Sequence, residues 1–95
     1  MILGKVVGTV VSSATRIDFP GAGFLLIEKC SQSGELKNDY VVALDLVGAG
    51  KGEMVMVSEG STARETPATV GKPLDAIVVG IVDLIDENEK VVYQK

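Results

Sequence analysis

Apolar residues recur along this chain in short β-branched runs broken by glycine, and no long segment repeats them at helical spacing. The runs predict strands at Ile2 to Ser13, Phe24 to Cys30, Tyr40 to Val47, Met54 to Glu59 and Ala76 to Ile85. A short tail strand, Val91 to Tyr93, follows the polar turn Asp86 to Glu89. Between the fourth and fifth strands, Thr62-Ala63-Arg64-Glu65 fits a capping box, in which the Thr hydroxyl and Glu carboxylate satisfy free amides of a first helical turn. Pro67 limits that helix to a turn or two, and Pro67 to Pro73 reads as an extended loop. Gly4 and Gly8 lie inside the first strand, where glycine marks a bulge, a sharp bend or a close backbone approach. The expected fold is all-β: a small five-stranded OB-like β-barrel with one short helix between the fourth and fifth strands. A sandwich is the competing arrangement.

The strand faces carry a second signal. A half-exposed strand alternates apolar with polar residues, yet Met54-Val55-Met56-Val57 and Ala76-Ile77-Val78-Val79 are apolar on both faces. A barrel this small has one interior. The second apolar face must be covered by the loop, by the tail strand or by another subunit, and several such strands in so short a chain favour another subunit.

Length agrees with this. A chain of 95 residues is expected to form a single domain, 1–95, and such a domain buries only a modest fraction of its surface unless something supplements its core. A single cysteine, Cys30, makes no internal disulfide, and without histidine a structural zinc site lacks its usual ligands. Oligomerisation is the remaining supplement. Met1 to Val11 shows no basic leader or unbroken apolar core, and the run Ala76 to Val82 is far shorter than the roughly 20 residues that span a bilayer. A cytoplasmic chain without a membrane partner is expected.

Charge narrows the partners further. Nine basic and thirteen acidic residues leave a net charge of −4, scattered rather than clustered. Phosphate binding draws on a clustered surplus of Lys and Arg, and single-strand binding adds aromatic stacking in a basic groove. Here the aromatics are Phe19, Phe24, Tyr40 and Tyr93, and the arginines are Arg16 and Arg64. Nucleic acid is not an expected partner.

The segment Gly48-Ala49-Gly50-Lys51-Gly52-Glu53 invites a nucleotide reading, because glycine loops let backbone amides approach phosphate. It fails the templates. A P-loop ending at Gly50-Lys51 needs glycine where Asp45 stands and Ser or Thr where Gly52 stands; the dinucleotide pattern from Gly48 needs glycine at Glu53. A tight turn using left-handed backbone, or a place where a neighbouring backbone comes close, accounts for it better. Catalytic parts are scarce: there is no imidazole base, and no G-x-S-x-G elbow surrounds any serine. Ser61 and Thr62 read as helix caps. Nothing pairs the strand-end carboxylates Asp45, Glu53, Asp75 and Asp83, so each is expected to be solvated or hydrogen-bonded. Cys30 reads as a buried small hydrophobe. No catalytic residue, cofactor or metal is assigned.

Laid out in order, these segments resemble the EutN/CcmL family of bacterial microcompartment vertex proteins, known from carboxysomes and metabolosomes. The likeness runs essentially end to end. It starts with GKVVGTVV at Gly4 to Val11, continues through Phe24-Leu25-Leu26-Ile27, and is strongest at Asp45-Leu46-Val47-Gly48-Ala49-Gly50-Lys51-Gly52-Glu53. Gly60-Ser61-Thr62-Ala63-Arg64, Asp75 and Val79-Gly80-Ile81-Val82-Asp83 complete it. Thr62 stands where many relatives have a second serine, and Thr also caps helices.

The resemblance implies a structural shell protein, not an enzyme. It would form a homopentamer capping the fivefold vertices of a shell tiled by hexameric proteins, its partners, in the cytoplasm. The number five comes from the resemblance, whereas the patterning supports only an oligomer. A closed shell of hexagonal tiles needs fivefold points, and a head-to-tail interface generates such a ring. The oligomer interface or ring axis is expected at Gly48, Ala49, Gly50 and Gly52, with Ser61, Arg64 and Asp83 near contacts. The alternatives are an OB-like single-stranded nucleic-acid-binding module and a small-molecule-binding ring protein.

Overall fold

A computed structural model describes residues 1–11, 23–60 and 75–95. Its strands are β1 (Ile2–Val10), β2 (Gly23–Cys30), β3 (Leu36–Asp45), β4 (Met54–Glu59), β5 (Ala76–Ile81), β6 (Leu84–Glu87) and β7 (Lys90–Gln94). The first five close a barrel in the order β1-β2-β3-β5-β4, and β6 and β7 form a separate two-stranded sheet. The five-stranded barrel expected from the sequence is thus present. The helix expected from Thr62 lies outside the described residues.

Closure depends on β1, whose first half serves two neighbours. Gly4 pairs with Lys29 of β2 on one side and with Val55 of β4 on the other. A register shift between Val6 and Gly8 lets the second half continue along β2 to the Val10–Phe24 pair. Every other pairing in the barrel is antiparallel except β3 with β5, where Leu44 meets Ile77 and Asp45 meets Val78 in parallel. The main core holds Val6, Leu25, Ile27, Ala43, Val55, Val57, Ala76 and Val78. Removing a side chain such as Ile27, wholly buried, from water contributes about 1.5–3 kcal/mol.

β1 ends at Val10 and β3 at Asp45, short of the expected Ser13 and Val47, and two further differences are larger. β3 begins at Leu36, ahead of the predicted Tyr40, because the tight turn Ser31 to Glu35 returns the chain at once. Ser31 Oγ accepts the amides of Ser33 and Glu35, and Gly34 takes φ +90. The polar residues Lys37, Asn38 and Asp39 lie in the register shift between the Glu28–Tyr40 and Cys30–Leu36 pairs and face water, so hydropathy did not reveal them. The predicted fifth strand, Ala76 to Ile85, divides at Val82-Asp83, and its second part pairs with the tail strand as a hairpin.

That hairpin covers part of the doubly apolar faces. Met54 forms a second buried cluster with Cys30 and Val82, packed by Leu3, Ile85 and Tyr93, so the tail covers it. Ile77, with no exposed surface, and Leu44, with 1%, are also buried within the chain. Exposed apolar surface remains at Met56 of β4 itself, at 37%, on β3 and the turn after it at Tyr40 (50%), Val42 (47%), Leu46 (39%) and Val47 (38%), and on the hairpin at Leu84 and Val91. No helix among the described residues is long and apolar enough to cross a membrane.

Candidate assembly surface: the glycine turn

Between β3 and β4 the chain makes the turn that the sequence singled out, and two carboxylates build it. Asp45, ending β3, accepts the amides of Val47 at 3.1 Å, Gly48 at 3.0 Å and Ala49 at 3.1 Å. Glu53, preceding β4, accepts the Gly50 amide through Oε1 at 2.5 Å. The turn is then stitched to β1, with Gly52 N donating to Val6 O and Val6 N to Glu53 O. Ala49 packs against the main core. Every one of these amides is satisfied inside the chain, and the groups that satisfy two stretches of them are negatively charged. The loop is therefore closed to phosphate, for a reason stronger than its failure to match nucleotide templates.

Conformation explains the glycines unequally. Gly48 and Gly52 hold φ +74 and +88, and a Cβ on either would meet nothing within 4 Å. Backbone handedness, not crowding, demands glycine there. Gly50 has no such φ, and its Cβ would meet only the Glu53 Oε1 at 3.3 Å. Gly52→Val is accordingly expected to destabilise the protein by about 1–3 kcal/mol, and Gly50→Val by clearly less, in urea denaturation at fixed protein concentration. Equal effects at both positions would remove the conformational account.

Of the other expected site residues, Asp83 joins the turn indirectly. Its carbonyl accepts the Lys95 amide, and the Lys95 ammonium reaches Glu53 Oε2 at 2.5 Å. Ser61 and Arg64 lie outside the described residues. Sequence reading left Asp45 and Glu53 as solvated or hydrogen-bonded strand ends without naming the amides they accept, and it did not single out Lys95. The spacing Asp-x-x-Gly-Ala with Gly-x-x-Glu was the readable trace of the first two, because side-chain carboxylates commonly cap amides two to four residues away.

The electrostatics follow this geometry. The Lys95 ammonium, and next the Gly50 amide, hold the Glu53 carboxyl below its ordinary range, and Glu53 raises Lys95. A lowered acid and a raised base contribute between the ordinary glutamate and lysine ranges. Their share is lost on acidification as Glu53 protonates, and on alkalinisation as Lys95 deprotonates. Cys30 is the opposite case: burial pushes its thiol up, only partly offset by Lys5 and Lys37, so it stays neutral.

A closed five-stranded barrel, a docked tail hairpin and a carboxylate-capped turn define a small all-β barrel protein. The chain belongs to the EutN/CcmL family: the family model described as ethanolamine utilisation protein EutN/carboxysome matches residues 1–83. The carboxysome shell vertex protein CcmL of Gloeobacter violaceus is 40% identical over 95 residues, covering all of this chain and 95% of that protein. Its solved structure superposes with a TM-score of 0.92 over 100% of this chain and 98% of the other. The GrpN pentameric microcompartment shell protein from Rhodospirillum rubrum is 40% identical in structure comparison, with a TM-score of 0.81 over 92% of this chain and 99% of that one.

Proposed function

We propose that this chain is a structural shell protein: a homopentamer that caps the fivefold vertices of a bacterial microcompartment, in the cytoplasm, with hexameric shell proteins as its neighbours. The observation that carries the reading is the end-to-end likeness, in sequence and backbone, to shell vertex proteins, one of them a pentamer in its solved structure. The role is architectural and not enzymatic, and the whole chain 1–95 acts as one domain.

Subunit contact or the ring axis is assigned to Gly48, Ala49, Gly50 and Gly52, with Ser61, Arg64 and Asp83 beside it. Supporting this, Leu46 and Val47 lead into the turn with more than a third of their surface open, and the Cβ side of Gly48 and Gly52 is empty. Tyr40 and Val42 add an exposed apolar strip on β3. A head-to-tail ring needs two unlike apolar patches on each subunit, and large exposed apolar side chains away from the core meet that need.

Native mass spectrometry of the purified protein tests the proposal. The expected result is one species near about 50 kDa, five chains of 9.9 kDa each. A stable monomer over a wide concentration range would overturn it.

A further inference from the structure

We infer that Lys95 is a positioning residue for the glycine turn: its ammonium holds Glu53 in the orientation that closes the turn on the Gly50 amide, latching the β6–β7 hairpin to the loop. Glu53 and Met54 are consecutive, and the hairpin grips both. Met54 lies fully buried beneath Ile85 and Tyr93, and its carbonyl accepts the Val82 amide. Glu53 stands outside that seam with one oxygen on Gly50 and the other on Lys95. Lys95 is itself placed by backbone, through its amide on Asp83 O.

The two halves of the latch differ in kind. Packing at Met54 is insensitive to salt, whereas the Glu53–Lys95 contact joins side chains that are 21% and 49% exposed. The groups that act on Lys95 are Glu53, Asp83 and Tyr93, and Lys95 is the charged side chain that acts on Glu53. Without Lys95, Glu53 Oε2 faces water and the carboxylate is free to rotate away from Gly50. The turn then loses a cap that no other side chain supplies among the described contacts of Gly50. The latch stands on contacts within the chain; that it sets the shape of the turn offered to a neighbouring subunit rests on the pentamer reading.

The test is amide exchange of the intact protein at Gly50 to Glu53, read by mass spectrometry or NMR, with native mass measured in parallel. Lys95→Met and Glu53→Gln are each expected to speed exchange there roughly two- to fivefold at low salt. The double variant should exceed neither single, because both remove one interaction. Lys95→Arg should restore protection, and salt of about 1 M should bring the wild type toward the variants. Unchanged exchange in Lys95→Met, or additive effects in the double variant, would overturn the inference. A wild type that is not pentameric would instead overturn the vertex reading and leave the exchange result standing.

Discussion

Gly4→Val is expected to lose about 3 kcal/mol of stability or more, the upper range for overpacking a closed core. Gly4 sits inside the barrel, where an added Cβ runs into the Ile27 Cγ2, with the Glu28 carbonyl oxygen at 3.2 Å behind it. Relief by shifting the backbone is blocked on both flanks, because Gly4 pairs with Lys29 on β2 and with Val55 on β4. Ile27 has nowhere to retreat, being wholly buried. Domains of this size hold only about 5–15 kcal/mol in all, so the loss is a large share. Gly8→Ala is the matched control, since its Cβ would meet Leu26 Cβ at an ordinary 3.9 Å. Urea midpoints at equal protein concentration decide the matter, the concentration being held because assembly adds to apparent stability. Similar midpoints for the two variants would show that β1 can move, contrary to its double pairing.

Met54→Ala is expected to cost about 2–5 kcal/mol, the range for emptying a buried methionine site. Its effect should also be local. Met54 is the barrel residue on which the hairpin rests, through Ile85 and Tyr93, with Cys30, Leu3 and Val82 around it. A two-stranded hairpin is marginal in water without a surface to pack on. The variant should therefore expose β6 and β7 to protease and raise amide exchange at Val82, whose amide is donated to Met54 O, before the barrel itself unfolds. A hairpin as protected as in the wild type would show that the Glu53–Lys95 contact and backbone pairing hold it unaided.

These two positions mark where sequence reading stopped. Both Gly4 and Gly8 were legible as strand glycines with a structural reason. That Gly4 answers a close approach from Ile27, while Gly8 borders the register shift, depends on which strand lies opposite. The apolar residues on both faces of β4 were likewise visible, but what covers them was not. Cover for Met54 comes from residues about thirty to forty positions later in the chain, and contacts at that separation leave no mark in local periodicity.

By itself the sequence determined the five strands of the barrel in outline, the structural character of the glycine turn and the family resemblance. Alternation, glycine punctuation and motif order are local properties of a chain and survive without coordinates. Tertiary structure alone decided that the tail is a hairpin packed on Met54, and that β3 starts four residues earlier, at Leu36, ahead of three polar positions. It alone decided that Asp45 and Glu53 cap the amides of Val47 to Gly50, with Lys95 bound to the second carboxylate. Polar strand residues, side-chain caps and ion pairs carry no periodic signature. Their partners are set by which segments the closed barrel brings side by side.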